Sequence, residues 1–109
     1  MPNASIRVLV VDDEPLARER LLDLLAHEPG VEVIATADNG IAAVEAIKTV
    51  HPDLVFLDVQ MPGKTGLDVV RDIGVEAMPA TIFVTAFDQY ALRAFDVAAL
   101  DYLVKPFDD

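Results

Sequence analysis

Five short apolar runs, separated by segments with helical spacing, constrain the fold of this chain more than any other feature of its sequence. Most of the runs are rich in Val, Ile and Leu and do not alternate strictly with polar residues, as is typical of strands covered on both faces. We predict one strand in each run: IRVLVV (6–11), VEVIATA (31–37), DLVFL (53–57), ATIFV (80–84) and ALDYLV (99–104).

The segments between the runs carry apolar residues spaced along one helical face. Pro15 suits the first turn of the first of these helices. The apolar stripes are Ala17, Leu21, Leu24 and Leu25; then Ala43, Ile47 and Val50; then Leu67, Val70 and Ile73; and a weaker one of Ala91, Ala94 and Phe95. The resulting order βαβαβαβαβ predicts an α/β fold, with a doubly wound parallel sheet and helices on both faces.

Composition narrows the class of protein. The chain has 109 residues, of which 53 % are hydrophobic, and this suits one domain (1–109) with a substantial core. Its 8 Lys and Arg residues against 19 Asp and Glu give a net charge of −11, which repels nucleic acid phosphates, so we expect no direct nucleic acid binding. Cysteine is absent, which excludes disulfides and fits a reducing compartment.

The sequence also bears on location. Its start, MPNASIRVLVVDDE, has no basic region leading into an apolar one, so we expect no secretory signal. No apolar run approaches the roughly 20 residues needed to span a bilayer. We therefore expect a cytoplasmic protein without membrane contact.

Polar side chains follow the ends of four predicted strands. Asp12 and Asp13 follow the first strand, Asp58 the third, Thr85 the fourth and Lys105 the fifth. Because the carboxyl ends of parallel strands lie at one edge of a sheet, we expect these side chains to converge there. Three carboxylates packed together repel each other unless a cation neutralises them, and a ligand set of oxygens alone indicates a hard ion such as Mg²⁺.

The expected arrangement suits phosphoryl transfer to a carboxylate. Asp58 would act as the nucleophile and form an acyl phosphate. A cation and the Lys105 ammonium would stabilise charge on the moving phosphoryl group, and the Thr85 hydroxyl could donate to one of its oxygens. The sequence therefore indicates a phosphoacceptor site at this edge.

Each of these residues also has a structural interpretation. Asp12 and Asp13 could cap the helix that begins near Pro15. Asp58 could be a loop residue that accepts hydrogen bonds from backbone donors. Thr85 could be a β-branched strand end, and Lys105 an edge residue with its stem on apolar surface. The functional interpretation is favoured because all these positions fit one site.

Glycines and histidines, which often occur at phosphate and metal sites, are not assigned to a site in this sequence. Gly40, Gly63 and Gly66 are interpreted as turn residues, because no glycine-rich phosphate loop is present. His27 and His51 lack metal-ligand spacing, so we expect both on the surface or in loops.

Four segments together resemble the receiver domains of two-component response regulators: VLVVDDEPLAR, ADNGIAAVEAI, PDLVFLDVQMPGKTGLDVV and IFVTAFDQYALRAFDVAALDYLVKPFD. They match that family in order and spacing over essentially the whole chain. The segment FDQYALRAFDVAALDYLVKP more narrowly resembles regulators with a LytTR-type DNA-binding domain. The resemblance implies a flavodoxin-like (CheY-like) fold with strand order 2-1-3-4-5.

The resemblance also assigns the central residues of the site. It implies that Asp58 accepts the phosphoryl group from a sensor histidine kinase. Asp13 would bind Mg²⁺, or Mn²⁺ in its place, directly, and Asp12 would do so largely through water. Asp58 and the backbone carbonyl of Gln60 would complete the protein ligands, and Lys105 would pair with the phosphoryl group.

Further positions match residues that respond to phosphorylation in this family. Thr85 and Tyr102 correspond to its switch pair, although Tyr102 could also be a strand aromatic that packs without moving. The peptide bond before Pro106 would be cis. Gln60 and Phe87 correspond to positions that tune the lifetime of the phosphoryl group, and our hypothesis is that bulky Phe87 slows its loss.

The resemblance implies a signalling module rather than an enzyme in the usual sense, because such a domain assists only its own phosphorylation and dephosphorylation. It would switch conformation to control an output domain, with DNA binding and transcription regulation as the expected output. No output domain is expected within this chain. An aspartyl phosphatase is disfavoured, because such enzymes carry a second carboxylate two residues after the nucleophile, where this chain has Gln60.

The family pattern continues into a fifth helix, which we do not expect here because the sequence ends at Asp109. Its absence should expose an apolar face of the sheet. We therefore expect either lower stability than a complete receiver or self-association through that face. The alternative function is a receiver-like interaction module in which truncation impairs switching.

Overall fold

The computed structural model describes residues 5–84 with their side chains, together with the backbone of Thr85 and of residues 101–104. In this part of the chain, strands alternate with helices up to the fourth strand. The elements are β1 (Ile6–Val11), α1 (Pro15–Ala26), β2 (Val31–Ala37), α2 (Gly40–Val50), β3 (Leu54–Asp58), α3 (Gly66–Ile73), β4 (Ala80–Thr85) and β5 (Asp101–Val104).

The strands form one parallel sheet in the order β2-β1-β3-β4-β5, which confirms the predicted fold class and strand order. The first two strands have the predicted bounds. The third is shifted by one residue, so that Asp58 is its last residue, and the fourth extends to Thr85. The predicted fourth helix, with Ala91, Ala94 and Phe95, lies outside the described residues, as does the chain beyond residue 104.

Strand β1 lies inside the sheet, between β2 and β3, and its side chains alternate between two apolar cores. Val8 and Val10 pack in a core that α1 covers. Leu9 and Val11 pack in the other, which α2 and α3 cover. All four side chains are at most 1 % exposed. Burial on both faces explains why this strand reads as a continuous apolar run.

The predicted helical stripes supply the covering side chains. Leu21 and Leu25 of α1 face one core. The other core receives Ala43 and Ile47 from α2 and Leu67, Val69 and Val70 from α3. The spacing of apolar residues therefore identified the buried side of each described helix correctly. None of the helices in residues 5–85 is long and apolar enough to cross a membrane.

Arg7 fastens the amino-terminal edge of the sheet to the end of α2. Its guanidinium donates to the carbonyls of Val50 and His51, both at 2.7 Å. Its backbone N–H donates to Asp53 Oδ2 at 2.9 Å, and its carbonyl accepts from Asp53 N at 2.8 Å. The last carbonyls of a helix have no intrahelical partner and carry partial negative charge, so an arginine here satisfies and stabilises them.

We expect Arg7→Met to lower the free energy of unfolding by about 1 to 2 kcal/mol, because it removes two charge-assisted hydrogen bonds and keeps the apolar stem. Urea denaturation measures this change. The control is Arg71→Met, which removes an exposed arginine paired with Asp68 at 3.3 Å and should change stability by less than about 0.5 kcal/mol. Equal effects of the two variants would contradict the role given to Arg7.

Candidate functional site

Three carboxylates meet at the carboxyl edge of the sheet. Asp12, Asp13 and Asp58 each offer an oxygen, and these oxygens lie within 4.8 Å of one another. Asp12 is 1 % exposed and Asp58 is 2 % exposed, whereas Asp13 is half-buried. The ends of β1 and β3 thus bring together the three acidic residues that the sequence predicts to share a site.

Asp12 directly follows β1 and is held by bonds to the end of β2 and to the first part of α1. Its backbone N–H donates to the carbonyl of Ala37, at the end of β2, at 3.1 Å. Its Oδ1 accepts from the backbone N–H of Glu14 at 2.9 Å, and its carbonyl accepts from Arg18 Nη1 at 2.8 Å. The N-cap residue of α1 is Glu14, so the alternative that Asp12 or Asp13 occupies that position is wrong.

Asp58 is the last residue of β3, and its strand neighbours hold it firmly. Leu57 before it is 0 % exposed and Val59 after it is 4 % exposed. The N–H of Val59 donates to the carbonyl of Val84 at 3.1 Å. Asp58 Oδ1 accepts from the N–H of Gln60 at 3.1 Å. Asp58 is therefore a strand residue rather than a loop residue, although one backbone donor does reach it.

Gly66 allows α3 to begin against the backbone of the site. Its N–H donates to the carbonyl of Val59 at 3.0 Å. A Cβ at this position would overlap the Asp58 carbonyl oxygen and lie 3.0 Å from the Asp58 carbonyl carbon and from Val59 Cα. The strand end and the first turn of α3 are thus in direct backbone contact, with no room for a side chain between them.

The turn interpretation holds for Gly63 but is wrong for Gly40 and Gly66. Gly63 has a φ of +79°, which a turn there requires. Gly40 and Gly66 are instead the first residues of α2 and α3. A Cβ on Gly40 would lie 2.5 Å from the carbonyl oxygen of Lys64, so close packing explains its presence. Lys64 also forms an ion pair with Asp72.

The other predicted site residues are placed only in part. Thr85 ends β4, one residue beyond Val84, the sheet partner of Asp58, so its backbone lies at the same edge as the carboxylates. The backbone of Tyr102 lies in β5 opposite Phe83. Lys105, Pro106 and Phe87 lie outside the described residues. The described bond of Gln60 involves its N–H, and the ligand role of its carbonyl stays a prediction.

Both histidines lie at the surface, as predicted. His27 is exposed at the end of α1, and its Nδ1 lies 2.8 Å from the carbonyl oxygen of Asp23. His51 is exposed and ends α2 in a left-handed conformation with φ 47°. Neither belongs to the acidic cluster.

The donor set fits a hard divalent cation. Pairs of unit charges about 5 Å apart repel by a few kcal/mol at the effective dielectric of a protein surface, so the cluster favours a bound positive charge. Carboxylate oxygens are the preferred protein ligands of Mg²⁺, which commonly takes one or two of them and keeps several waters. Half-buried Asp13 leaves the cluster open to solvent on one side. The residues present therefore suit Mg²⁺.

Fold and site together define a doubly wound α/β domain with an acidic site at the carboxyl ends of its strands. The chain belongs to the response regulator receiver domain family, which residues 8–109 match. This family comprises the receiver domains of two-component systems.

Named relatives and solved structures agree with this assignment. An uncharacterized response regulatory protein of Yersinia pestis is 48 % identical over 103 residues, which are 94 % of this chain and 43 % of that protein. The transcriptional regulatory protein BtsR of Escherichia coli K12 is 44 % identical over 104 residues, which are 95 % of this chain and 44 % of BtsR. The chain thus spans less than half of the relatives' length.

Among solved structures, the response regulator domain of Thermotoga maritima CheB has a TM-score of 0.82 and 31 % identity, with 94 % of this chain and 79 % of that chain covered. A Borrelia burgdorferi CheX–CheY–BeF₃–Mg²⁺ complex contains a chain with a TM-score of 0.85 and 26 % identity, with 96 % and 81 % covered. Both structures support the same fold.

We expect Gly66→Ala to destabilise the protein by about 1 to 3 kcal/mol, because the new methyl group must push α3 away from the backbone of Asp58. Backbone amide resonances of Asp58 and Val59 should shift in NMR spectra. The matched control is Gly63→Ala, where a Cβ would meet nothing within 4 Å and the cost is only that of a positive φ. Unshifted Asp58 and Val59 resonances in Gly66→Ala would contradict the close contact.

A capping box fixes the start of α3 just beyond the site. The N–H of Thr65 donates to Asp68 Oδ2 at 3.0 Å, and the N–H of Asp68 donates to Thr65 Oγ1 at 3.1 Å. The backbone hydrogen bond from Thr65 is the main cause that lowers the pKa of Asp68, and the side-chain hydrogen bond with Thr65 is the second. The folded state therefore favours the ionised form of Asp68.

This pKa shift predicts a pH-dependent effect of Asp68→Asn, which keeps an acceptor oxygen but removes the charge. A carboxyl whose pKa is lower in the folded chain contributes stability above its unfolded pKa, and the contribution disappears as the pH falls through the folded pKa. Wild type should therefore be more stable than Asp68→Asn near neutral pH, and the difference should shrink in acid. Urea titrations across this range test it, and a difference independent of pH would contradict it.

Proposed function

We propose that this domain is the phosphoacceptor of a two-component system, and that Asp58 accepts a phosphoryl group from a sensor histidine kinase in a Mg²⁺-dependent reaction. The observation that carries the proposal is the gathering of Asp12, Asp13 and Asp58 within 4.8 Å at the strand ends. The Borrelia burgdorferi complex supports it, because a chain of the same fold was crystallised there with Mg²⁺ and BeF₃, a common substitute for a phosphoryl group.

In the proposed reaction, a carboxylate oxygen of Asp58 attacks the phosphorus of a phosphohistidine. The new bond joins that oxygen to phosphorus and creates an acyl phosphate. The phosphorus–nitrogen bond breaks, and its electron pair returns to the imidazole nitrogen of the donor. Dephosphorylation transfers the same group to water, which restores the carboxylate and releases inorganic phosphate.

The protein contributes chiefly by positioning the nucleophile. Asp58 ends a buried strand, and the N–H of Gln60 donates to its Oδ1, which orients the carboxylate. The backbone contact with Gly66 fixes the main chain beside it. Such pre-organisation matters in phosphoryl transfer, where catalysis is mainly positioning and charge stabilisation.

Asp12, Asp13 and Asp58 would hold the cation, with the carbonyl of Gln60 as a further ligand and Mn²⁺ as a possible substitute for Mg²⁺. When bound, the cation supplies the positive charge that offsets the carboxylates and the incoming phosphoryl oxygens. This requirement follows from the donor set and from the size of the repulsion within it.

The finer roles are part of the same proposal. Thr85 would bind a phosphoryl oxygen and form the switch pair with Tyr102, while Lys105 would pair with another oxygen. Pro106 would follow a cis bond, and Gln60 and Phe87 would set the lifetime of the acyl phosphate. For Thr85, the support is its backbone position next to the sheet partner of Asp58.

The whole protein is proposed to regulate transcription. BtsR is named a transcriptional regulatory protein, and this chain spans 44 % of it. The part of such a relative that this chain does not cover leaves room for a DNA-binding output domain. The net charge of −11 disfavours DNA binding by this segment itself. A receiver-like interaction module with impaired switching is the alternative, and self-association stays a prediction.

The test is labelling with acetyl phosphate in the presence and absence of Mg²⁺, read by intact mass spectrometry. Wild type should gain the mass of one phosphoryl group with Mg²⁺ and show little gain with EDTA. Asp58→Asn should stay unlabelled because a side-chain amide is too weak a nucleophile to attack the phosphorus of acetyl phosphate. The added mass should be lost on treatment with hydroxylamine, which cleaves acyl phosphates.

The control variant is Asp23→Asn, which changes one exposed carboxyl of α1 and should label like wild type. Circular dichroism establishes that each variant is folded. If folded wild-type protein gains no mass with Mg²⁺, the result would contradict the proposed function and favour the interaction module.

A further inference from the structure

Arg18 is an arginine in an electrostatically unfavourable place. It is the fourth residue of α1, close to the helix amino terminus, where the helix dipole favours negative rather than positive side chains. It is half-buried, and its Nη1 donates to the main-chain carbonyl of Asp12 at 2.8 Å. A specific contact with the end of β1 therefore accounts for a residue that the helix alone would disfavour.

The bond from Arg18 complements the other two bonds that fix Asp12. The backbone N–H of Asp12 is tied to Ala37 of β2, and its Oδ1 is tied to the N–H of Glu14. Its carbonyl oxygen belongs to the peptide group that joins it to Asp13. By holding that oxygen, Arg18 orients the planar peptide group, which includes the backbone nitrogen and the Cα of Asp13 from which the side chain extends.

We infer that Arg18 is a positioning residue for the cation site: its hydrogen bond to the Asp12 carbonyl holds the Asp12–Asp13 peptide so that both carboxylates face Asp58. This inference rests on the proposed function in that the cation concerned is Mg²⁺. Arg18 acts through the backbone, and it needs no contact with the cation or the phosphoryl group.

Position and charge predict opposite effects when Arg18 is removed. A guanidinium next to the cluster repels a divalent cation, so loss of its charge alone should tighten Mg²⁺ binding. Loss of positioning should weaken binding, because groups that orient metal ligands commonly contribute about tenfold or more to affinity. A purely structural role would change the stability of the fold and leave the affinity of the folded protein unaltered. The direction of the change therefore distinguishes the three roles.

The experiment is a calorimetric titration of the metal-free protein with MgCl₂, repeated with MnCl₂ and detected by electron paramagnetic resonance. Arg18→Met keeps the apolar stem and removes both donor and charge, and it should weaken Mg²⁺ binding about tenfold. Arg18→Lys restores a donor and the charge and should recover part of that loss. Thermal unfolding by circular dichroism establishes that every variant is folded at the titration temperature.

The matched control is Arg20→Met, which removes the same charge from an exposed position on the same helix. It should leave Mg²⁺ affinity within about twofold of wild type, since exposed charges are screened by salt. Unchanged or tighter binding in folded Arg18→Met would overturn the inference. An equal loss in Arg20→Met would overturn it as well, because the effect would then follow net charge.

These outcomes separate the inference from the proposed function. If wild type binds Mg²⁺ and is labelled on Asp58 while Arg18→Met binds equally well, only the inference on Arg18 fails. If wild type binds no Mg²⁺, the proposed function fails and the inference falls with it.

Discussion

The site depends on the burial of β1 and β3 within a parallel sheet. Two apolar cores enclose these strands, and Val10 and Leu57 are 0 % exposed near their carboxyl ends. A carboxylate immediately after such a strand cannot move away from the other carboxylates, because packing and sheet hydrogen bonds hold the strand in place. The free energy gained by burying the apolar strands therefore offsets the repulsion among Asp12, Asp13 and Asp58. Because a bound cation would relieve this repulsion, the cluster favours cation binding.

Much of this arrangement could be predicted from the sequence, because it follows from periodicity and from one topological rule. Unbroken apolar runs indicate buried parallel strands, and parallel strands place their carboxyl ends together. These two rules predict that Asp12, Asp13 and Asp58 lie together at the carboxyl edge of the sheet. It also identified the buried residues of the helices, such as Leu21 and Ile47, because a helical face repeats with the period of the helix.

Individual contacts between one element of the fold and the next could not be predicted in this way. Arg18 and the Asp12 carbonyl meet only once α1 has packed beside β1, and no spacing rule relates a guanidinium to a main-chain oxygen. The sequence suggests that Gly40 and Gly66 are turn residues, yet they are the first residues of helices. Glycine is needed there because the backbone of Gly40 lies close to Lys64 and that of Gly66 close to Asp58. A glycine in a sequence shows only that a side chain is absent, and the reason for its absence lies in the tertiary neighbour.

The net charge of −11 gives the acidic site a further consequence. A phosphoryl donor is itself anionic, so the bare cluster and the surrounding protein both repel it. Under the proposed function, a divalent cation among the carboxylates would offset most of their negative charge and present positive charge to the incoming phosphoryl oxygens. In the proposed function, metal binding and phosphoryl acceptance would therefore be coupled electrostatically, and the strength of the coupling would depend on the placement of each carboxylate.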